Sequence, residues 1–349
     1  NMAKASLKEP FRCSECGWST SKWVGRCGEC QAWGSIDEGT RKLNVVAAGA
    51  VTATARPIGE VDLAAAQSRS SGVAELDRTL GGGLVPGAVV LLAGEPGVGK
   101  STLLLTVAAE SARTGLTALY VTGEESTAQV RLRAERLSAI HPSLWLAAEN
   151  ELSAVVAHID AVKPDLLIID SIQTMASAAV EGSPGGVTQV REVANTAIRI
   201  AKDRGITVIL VGHVTKDGSI AGPRLLEHLV DVVLNFEGDR HSRLRLVRSI
   251  KNRFGTTDEV GCFDLHDGGI SGVTDPSGLF TTRHAEPVPG TCVTVALEGR
   301  RALVAEIQAL VGVEKDRDYG NARRVTSGLD SARTAMTLAV LELRANTKL

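Results

Sequence analysis

Several features are missing from this chain of 349 residues. It has no apolar run near the roughly 20 residues needed to cross a bilayer, so a membrane-spanning role is not expected. The opening stretch NMAKASLKEP has no apolar core of the kind a signal peptide carries, and the expected setting is cytoplasmic. There is no excess of positive charge: Lys+Arg is 38, Asp+Glu is 40, and the formal net charge is −2. A polycation that coats nucleic acid over its whole surface is thereby excluded, and any such surface must be local. No internal repeat is present. What remains is the composition of an ordinary globular protein, 44% hydrophobic and 22% charged, long enough for two or three domains.

The six cysteines are unevenly placed, with Cys262 and Cys292 far from the other four. Those four, Cys13, Cys16, Cys27 and Cys30, lie in CSECGWSTSKWVGRCGEC as two C-x2-C turns ten residues apart. In a reducing compartment this spacing points to a metal site and not to disulfides. Each turn offers two thiolates, two turns complete a tetrahedron around Zn²⁺, and no position stays open, so the site is structural. A segment this short has no core of its own and takes its stability from the metal. Trp18, Trp23 and Trp33 are expected to pack around the ion, with an aromatic platform for nucleic acid as the alternative.

Three compositional blocks follow one another. Residues 1–38 form the four-cysteine ribbon, and residues 39–56, rich in small side chains and without period, read as a linker. Residues 57–272 alternate short apolar runs (AVVLLAG, TALYVTGEE, LWLAAE, DLLIIDS, ITVILVGHV) with amphipathic stretches. That alternation predicts an α/β fold with a parallel sheet covered on both faces. The runs DVVLNFEG and RLRLVRSI have no helix between them and predict a hairpin that extends the sheet. Residues 273–349 change character again: TCVTVALEGRRALVAEIQALV alternates as strands do, and SGLDSARTAMTLAVLELRAN reads as a capped helix. This last block offers little core for a domain and is expected to be incomplete.

The stretch GEPGVGKST carries the phosphate-binding pattern G-x-x-x-x-G-K-[ST] after a strand and before a helix. Gly94, Glu95, Pro96, Gly97, Val98 and Gly99 bring backbone N–H groups onto phosphate oxygens. Lys100 reaches the terminal phosphates, Ser101 holds Mg²⁺, and Thr102 supplies a second hydroxyl. Asp170 ends the run LLIID, where an open α/β sheet places its ligand groups, and is read as the acid that orients Mg²⁺ through water. In GEES, Glu124 is the favoured general base and Glu125 the next candidate, with Ser126 as a helix cap. His213, at the end of a further strand, is either a sensor of the γ-phosphate or structural. Two glycine-rich loops, SAAVEGSPGGVTQ and TKDGSIAGP, are candidates for contacting a polymer, with Lys216 and Arg224 as possible phosphate contacts. Arg323, Arg324 and Arg333 are read as either DNA-phosphate contacts or a solvated surface. In SIKNRFGTTDE, Lys251 and Arg253 flank Asn252 on an extended segment and so share a face. They serve a phosphate of their own subunit, a phosphate of a neighbouring one, phosphates of DNA, or no phosphate at all, as ordinary charges on a solvated strand edge.

The ribbon, ELDRTLGGGLVPG before the phosphate loop, GEES, GHVTKDG and KNRFG together resemble the RadA (Sms) family of bacterial DNA repair proteins, along nearly the whole chain. The resemblance implies a RecA-like ATPase core, ATP as the nucleotide and a homohexameric ring. It implies an ATP-dependent DNA motor that works with the recombinase RecA on single-stranded and branched DNA and drives branch migration. It also implies that Lys251 and Arg253 reach the γ-phosphate held by the neighbouring subunit. The last block would be a Lon-protease-like domain without proteolytic function, continuing beyond Leu349 in the family, and GVEKDRDYGNA fits the family poorly. Two rival functions stand beside the motor. An ATP-dependent protease of Lon type needs a Ser-Lys dyad, and Ser327 and Ser331 have no convincing lysine partner. A non-motor ATP switch would load proteins on DNA without displacing strands.

Overall fold

The computed structural model describes residues 11–38, 54–61, 63, 66–213, 223–238, 242–281, 288–310 and 324–345. Most of the expected linker, residues 39–53, lies outside them. The chain divides into two compact units, residues 1–61 and 62–349.

The first unit is a small antiparallel sheet of β1 (Phe11–Cys13), β2 (Ser19–Thr20) and β3 (Ile36–Glu38), in the order β2-β1-β3. Among the described residues its buried apolar centre is Cys13, Cys27 and Ile36, with Phe11, Trp18 and Val24 packed against them. So little apolar surface cannot hold a fold by itself.

The second unit is built on a nine-stranded sheet. Its parallel part comprises β4 (Val89–Gly94), β5 (Ala118–Thr122), β6 (Leu144–Ala148), β7 (Leu166–Asp170), β8 (Thr207–His213) and β9 (Val232–Glu237). Antiparallel strands β10 (Leu244–Asn252), β11 (Val260–His266) and β12 (Gly269–Gly272) extend it, giving the order β12-β11-β10-β9-β4-β8-β7-β5-β6. The central strands are buried at nearly every position because both faces are covered. Alternate residues supply opposite cores: Val90, Leu92, Tyr120 and Ile168 join one cluster, while Val89, Leu91, Leu119 and Ile169 join the other. The first cluster lies under α1 (Ala74–Leu80), α2 (Lys100–Arg113) and α3 (Thr127–Arg136), the second under α4 (Leu152–Val162) and α5 (Val187–Arg204).

Local chemistry sets the helix ends. Ser126 and Gln129 form a complete capping box at the start of α3, and Gly205, at φ 66°, terminates α5 in the left-handed region. Two short helices, α6 (Pro223–Glu227) and α7 (Ser277–Phe280), fill connections. Beyond the sheet come a separate hairpin of β13 (Thr291–Glu298) and β14 (Arg301–Gln308), and then α8 (Ser331–Ala345), capped by Asp330 Oδ1 accepting from Arg333 N at 2.7 Å. No described residue of α8 is buried.

Candidate functional site

The phosphate loop joins β4 to α2, so the residues after Gly94 leave the sheet at its carboxyl edge and Lys100 opens the helix. At Gly94 a side chain is excluded, because a Cβ would lie 2.5 Å from Phe236 O. Lys100 is buried, and its ammonium donates to the carbonyls of Gly94 and Glu95, both at 2.8 Å. Burial brings its pKa down to about 8, although the carboxylates of Asp170, Glu124 and Glu95 pull the other way. A cation kept dry and held by two carbonyls is ready to exchange them for phosphate oxygens.

Asp170, at the end of β7, is also buried and accepts a 2.5 Å hydrogen bond from Tyr120 Oη. The Tyr120 phenol is pushed well above its usual pKa, chiefly by burial and then by the Asp170 charge, so it remains a donor. Ser101 follows Lys100 in the first turn of α2. A buried carboxylate and a hydroxyl on the first helical turn are the oxygen donors that Mg²⁺ takes beside phosphates, and the residues present fit that ion.

The two glutamates of GEES go to different partners. Glu124 Oε1 accepts from Ser171 Oγ at 2.6 Å and lies 3.1 Å from His213 Nε2. Burial raises the Glu124 carboxyl, but the hydrogen bonds from Ser171 and His213 outweigh it, and the net shift is downward. Glu125 turns away into an ion pair with Arg133. Thr122 Oγ1 shapes the turn by accepting from Glu124 N at 3.3 Å and Glu125 N at 3.2 Å. Lys100, Glu124, Asp170, Ser171 and His213 therefore form one constellation, and Glu125 stands outside it.

Arg245 was not anticipated from the sequence. It is buried on β10 and its Nε donates to Val98 O at 2.9 Å, bracing the phosphate loop from below. Leu265 and Phe236 come within about 4 Å of where a side chain on Gly99 would stand. A second buried arginine, Arg301, pairs with the buried Glu75 of α1 and donates to Val260 O at 3.1 Å and Val273 O at 2.7 Å. It ties the β13–β14 hairpin to the helix that precedes the phosphate loop.

Lys251 and Arg253 lie at the other end of the sheet from the loop carrying Lys100. Arg253 Nη1 donates to Asp231 Oδ1 at 2.8 Å, and Asp231 Oδ2 accepts from the N–H of Val89, the first residue of β4, at 3.0 Å. Lys251 Nζ donates to Glu227 O at 2.7 Å and Val230 O at 2.8 Å. Asn252 seats the segment on α1: its Nδ2 donates to Thr79 O at 3.3 Å and its Oδ1 accepts from Phe254 N at 2.8 Å. A side chain on Gly255 would stand 2.9 Å from Gly81 Cα, so the close approach of these two glycines needs both.

Of the residues expected to touch DNA, Lys216 and Arg323 lie outside the described residues, as does the side chain of Arg224. Arg324 pairs with Glu342 at 3.2 Å, and Arg333 is exposed in the first turn of α8. The loop SAAVEGSPGGVTQ is built around one buried amide. Gln189 Oε1 accepts from Ser177 N at 2.8 Å, while its Nε2 donates to Ser177 O, Val180 O and Gly182 O at 2.9–3.2 Å. The described parts of the last block, 273–281, 288–310 and 324–345, contain no lysine.

In the ribbon the four cysteine sulfurs all lie within 4.8 Å of one another. The pairs Cys13–Cys30 and Cys16–Cys27 are 3.7 and 3.6 Å apart, close to the edge of about 3.8 Å for a tetrahedron with Zn–S bonds near 2.3 Å. The thiols are electrostatically unequal. Cys13 is lowered to about 6, first by the Ser35 hydroxyl. Cys30 is pushed up to about 12, where the pull of the Ala32 N–H is outweighed by burial and by the other thiols. Only a bound cation lets all four ionise together. The tryptophans correct the expectation of a shared metal shell. Trp18 packs inward, while Trp23 and Trp33 are 64% and 77% exposed, Trp33 lying 5.6 Å from the Arg26 guanidinium. So small a core has room for one indole.

These geometries agree with comparison to known proteins. Residues 55–219 match the AAA domain family, and residues 11–38 match the rubredoxin metal binding domain. The chain is 54% identical to the DNA repair protein RadA of Mycolicibacterium smegmatis, across 98% of this chain and 75% of that one. It is 52% identical to RadA of Mycobacterium tuberculosis, across 98% and 72%. It is 45% identical to RadA of Streptococcus pyogenes, across 97% and 75%. With a phosphate loop ahead of Lys100, an acid at the end of β7 and four cysteines gathered in an N-terminal ribbon, the chain belongs to the RadA family of DNA repair proteins, with an AAA ATPase core.

Proposed function

We propose that this protein is an ATP-driven motor of recombinational repair, a homohexameric ring that translocates on single-stranded DNA and moves branch points alongside the recombinase RecA. The observation that carries this reading is the position of Lys251 and Arg253. Arg253 is held by Asp231, which is hydrogen-bonded to Val89 at the start of β4, while Lys100 lies beyond Gly94, and the six residues of β4 span about 17 Å. Neither cation serves the phosphates of its own subunit. In a ring whose nucleotides lie at subunit boundaries, they reach the neighbour's.

Each remaining group then has a task. The backbone of residues 94–99 cradles the phosphates and Lys100 neutralises the terminal ones. Ser101, and Asp170 through water, would hold Mg²⁺, which would supply positive charge to the phosphates. Glu124 accepts the proton of the attacking water. His213, hydrogen-bonded to that carboxylate, reports the state of the site to the segment that follows β8. A cation lent from the adjoining subunit adds roughly 10³–10⁵ in rate, so hydrolysis depends on the assembled ring. The loop held by Gln189 faces the DNA, with Lys216, Arg224, Arg323, Arg324 and Arg333 as further phosphate contacts. Zn²⁺ in the ribbon is structural.

Two measurements test this reading. Lys100→Ala and Arg253→Ala subunits, each inactive alone, should regain hydrolysis when mixed, because some interfaces then join an intact cradle to an intact cation. Single-stranded DNA should bind and raise the ATPase rate at moderate salt. If it does neither, the motor is the wrong machine.

A further inference from the structure

The residue that holds Arg253 has no part in its own subunit's phosphate site, yet it is built with unusual care. Asp231 precedes β9 and is 7% exposed. It is locked to the start of β4 by two hydrogen bonds: its Oδ2 accepts from Val89 N, and its own N–H donates to Val89 O, both at 3.0 Å. Its other carboxylate oxygen takes Arg253 Nη1, and its carbonyl accepts from Arg253 N at 3.2 Å. Lys251 binds the two carbonyls just before it, at Glu227 and Val230. Both cations thus rest on five consecutive residues, 227–231.

We infer that Asp231 is the positioning residue for Arg253, fixing the guanidinium at the edge of one subunit so that its outward N–H groups meet the phosphate of the next. An unrestrained arginine would sample many rotamers and lose that freedom at each encounter with a phosphate. A carboxylate pinned to a central strand removes the search beforehand. One N–H is committed to Asp231, while the Arg253 side chain remains 51% exposed, leaving the rest of the fork for a bidentate contact. Lys251 is more fully engaged within its own chain.

The inference rests on the shared-site reading above, and mixing experiments separate the two. Asp231→Asn keeps an acceptor for Val89 N–H and removes the charge that holds Arg253. Its rings should show kcat reduced about 10- to 100-fold with KM for ATP unchanged. Mixed with Lys100→Ala subunits, which supply a correctly held Arg253, Asp231→Asn should recover as far as Arg253→Ala does in the same mixture. Mixed with Arg253→Ala it should recover nothing. A purely structural lesion would weaken nucleotide binding in the variant's own cradle and leave both mixtures alike. Asp231→Glu, which retains the charge and displaces it by one methylene, repeats the test if the asparagine variant does not fold. Wild-type kcat in either variant overturns the assignment, as does failure to recover beside Lys100→Ala when Arg253→Ala recovers. If that control also fails in rings shown to be mixed, the shared site falls and the positioning role falls with it.

Discussion

Removing the Arg301 guanidinium should cost more stability than almost any other single change in the larger unit. In Arg301→Met the buried Glu75 loses its closest cation, and three carbonyls, Val260 O, Val273 O and Thr274 O, lose their donor. Among the described residues Glu75 would keep Cys262 N at 2.9 Å and Arg78 Nε at 3.8 Å, and the Arg78 side chain is 43% exposed. Breaking a buried pair from one side costs about 3–5 kcal/mol, most of it the penalty of an uncompensated buried charge. With a urea dependence of about 2–3 kcal/mol per molar, the unfolding midpoint should fall by about 1–2.5 M. Glu75→Gln with Arg301→Met removes both charges and should recover more than half of the loss, because the coupling between contacting residues is not additive. The assay is equilibrium urea unfolding followed by circular dichroism. A midpoint within about 0.3 M of the parent for Arg301→Met, or a double variant that loses the sum of the two single losses, would show that the pair is not what joins the β13–β14 hairpin to α1.

Three further outcomes follow from the same geometry. The Lys100 pKa is depressed to about 8, so nucleotide binding by the free protein should weaken as pH rises through that value; binding titrations between pH 7 and 9.5 that show a flat affinity would contradict a dry ammonium. Glu124→Gln should lower kcat about 10²- to 10⁴-fold with little change in nucleotide affinity, whereas Glu125→Gln, which only frees Arg133, should stay within about tenfold of the parent; equal losses in single-turnover assays would remove the distinction between them. Metal analysis should find one zinc per chain, and Cys13→Ser should release it and abolish the ordered ribbon signals in NMR spectra while the larger unit stays folded.

Chemistry that depends on neighbours in the chain could be read directly. The two C-x2-C turns, the glycines and Lys100 ahead of a helix, the apolar run ending in Asp170 and the Ser126 cap are local patterns, and their spacing alone restricts the chemistry. The α/β class was legible for the same reason, because strands buried on both faces must be apolar at every position. The exposure of Trp23 and Trp33 was not, since nothing in the spacing says how many indoles so small a core can accept.

The amino-acid order by itself determined a metal ribbon followed by a phosphate-binding α/β core, because each of those features is written within about ten consecutive residues. Tertiary structure alone decided which of two adjacent glutamates faces Lys100, that Tyr120 supports Asp170 from 50 residues away, and that Arg245 reaches Val98 across 147. It also decided that Arg253 sits on Asp231, at the far end of the strand from its own phosphate loop. Such pairings join strands distant in the chain. They are set by how the sheet is ordered and which edge each strand presents, and no local pattern encodes either.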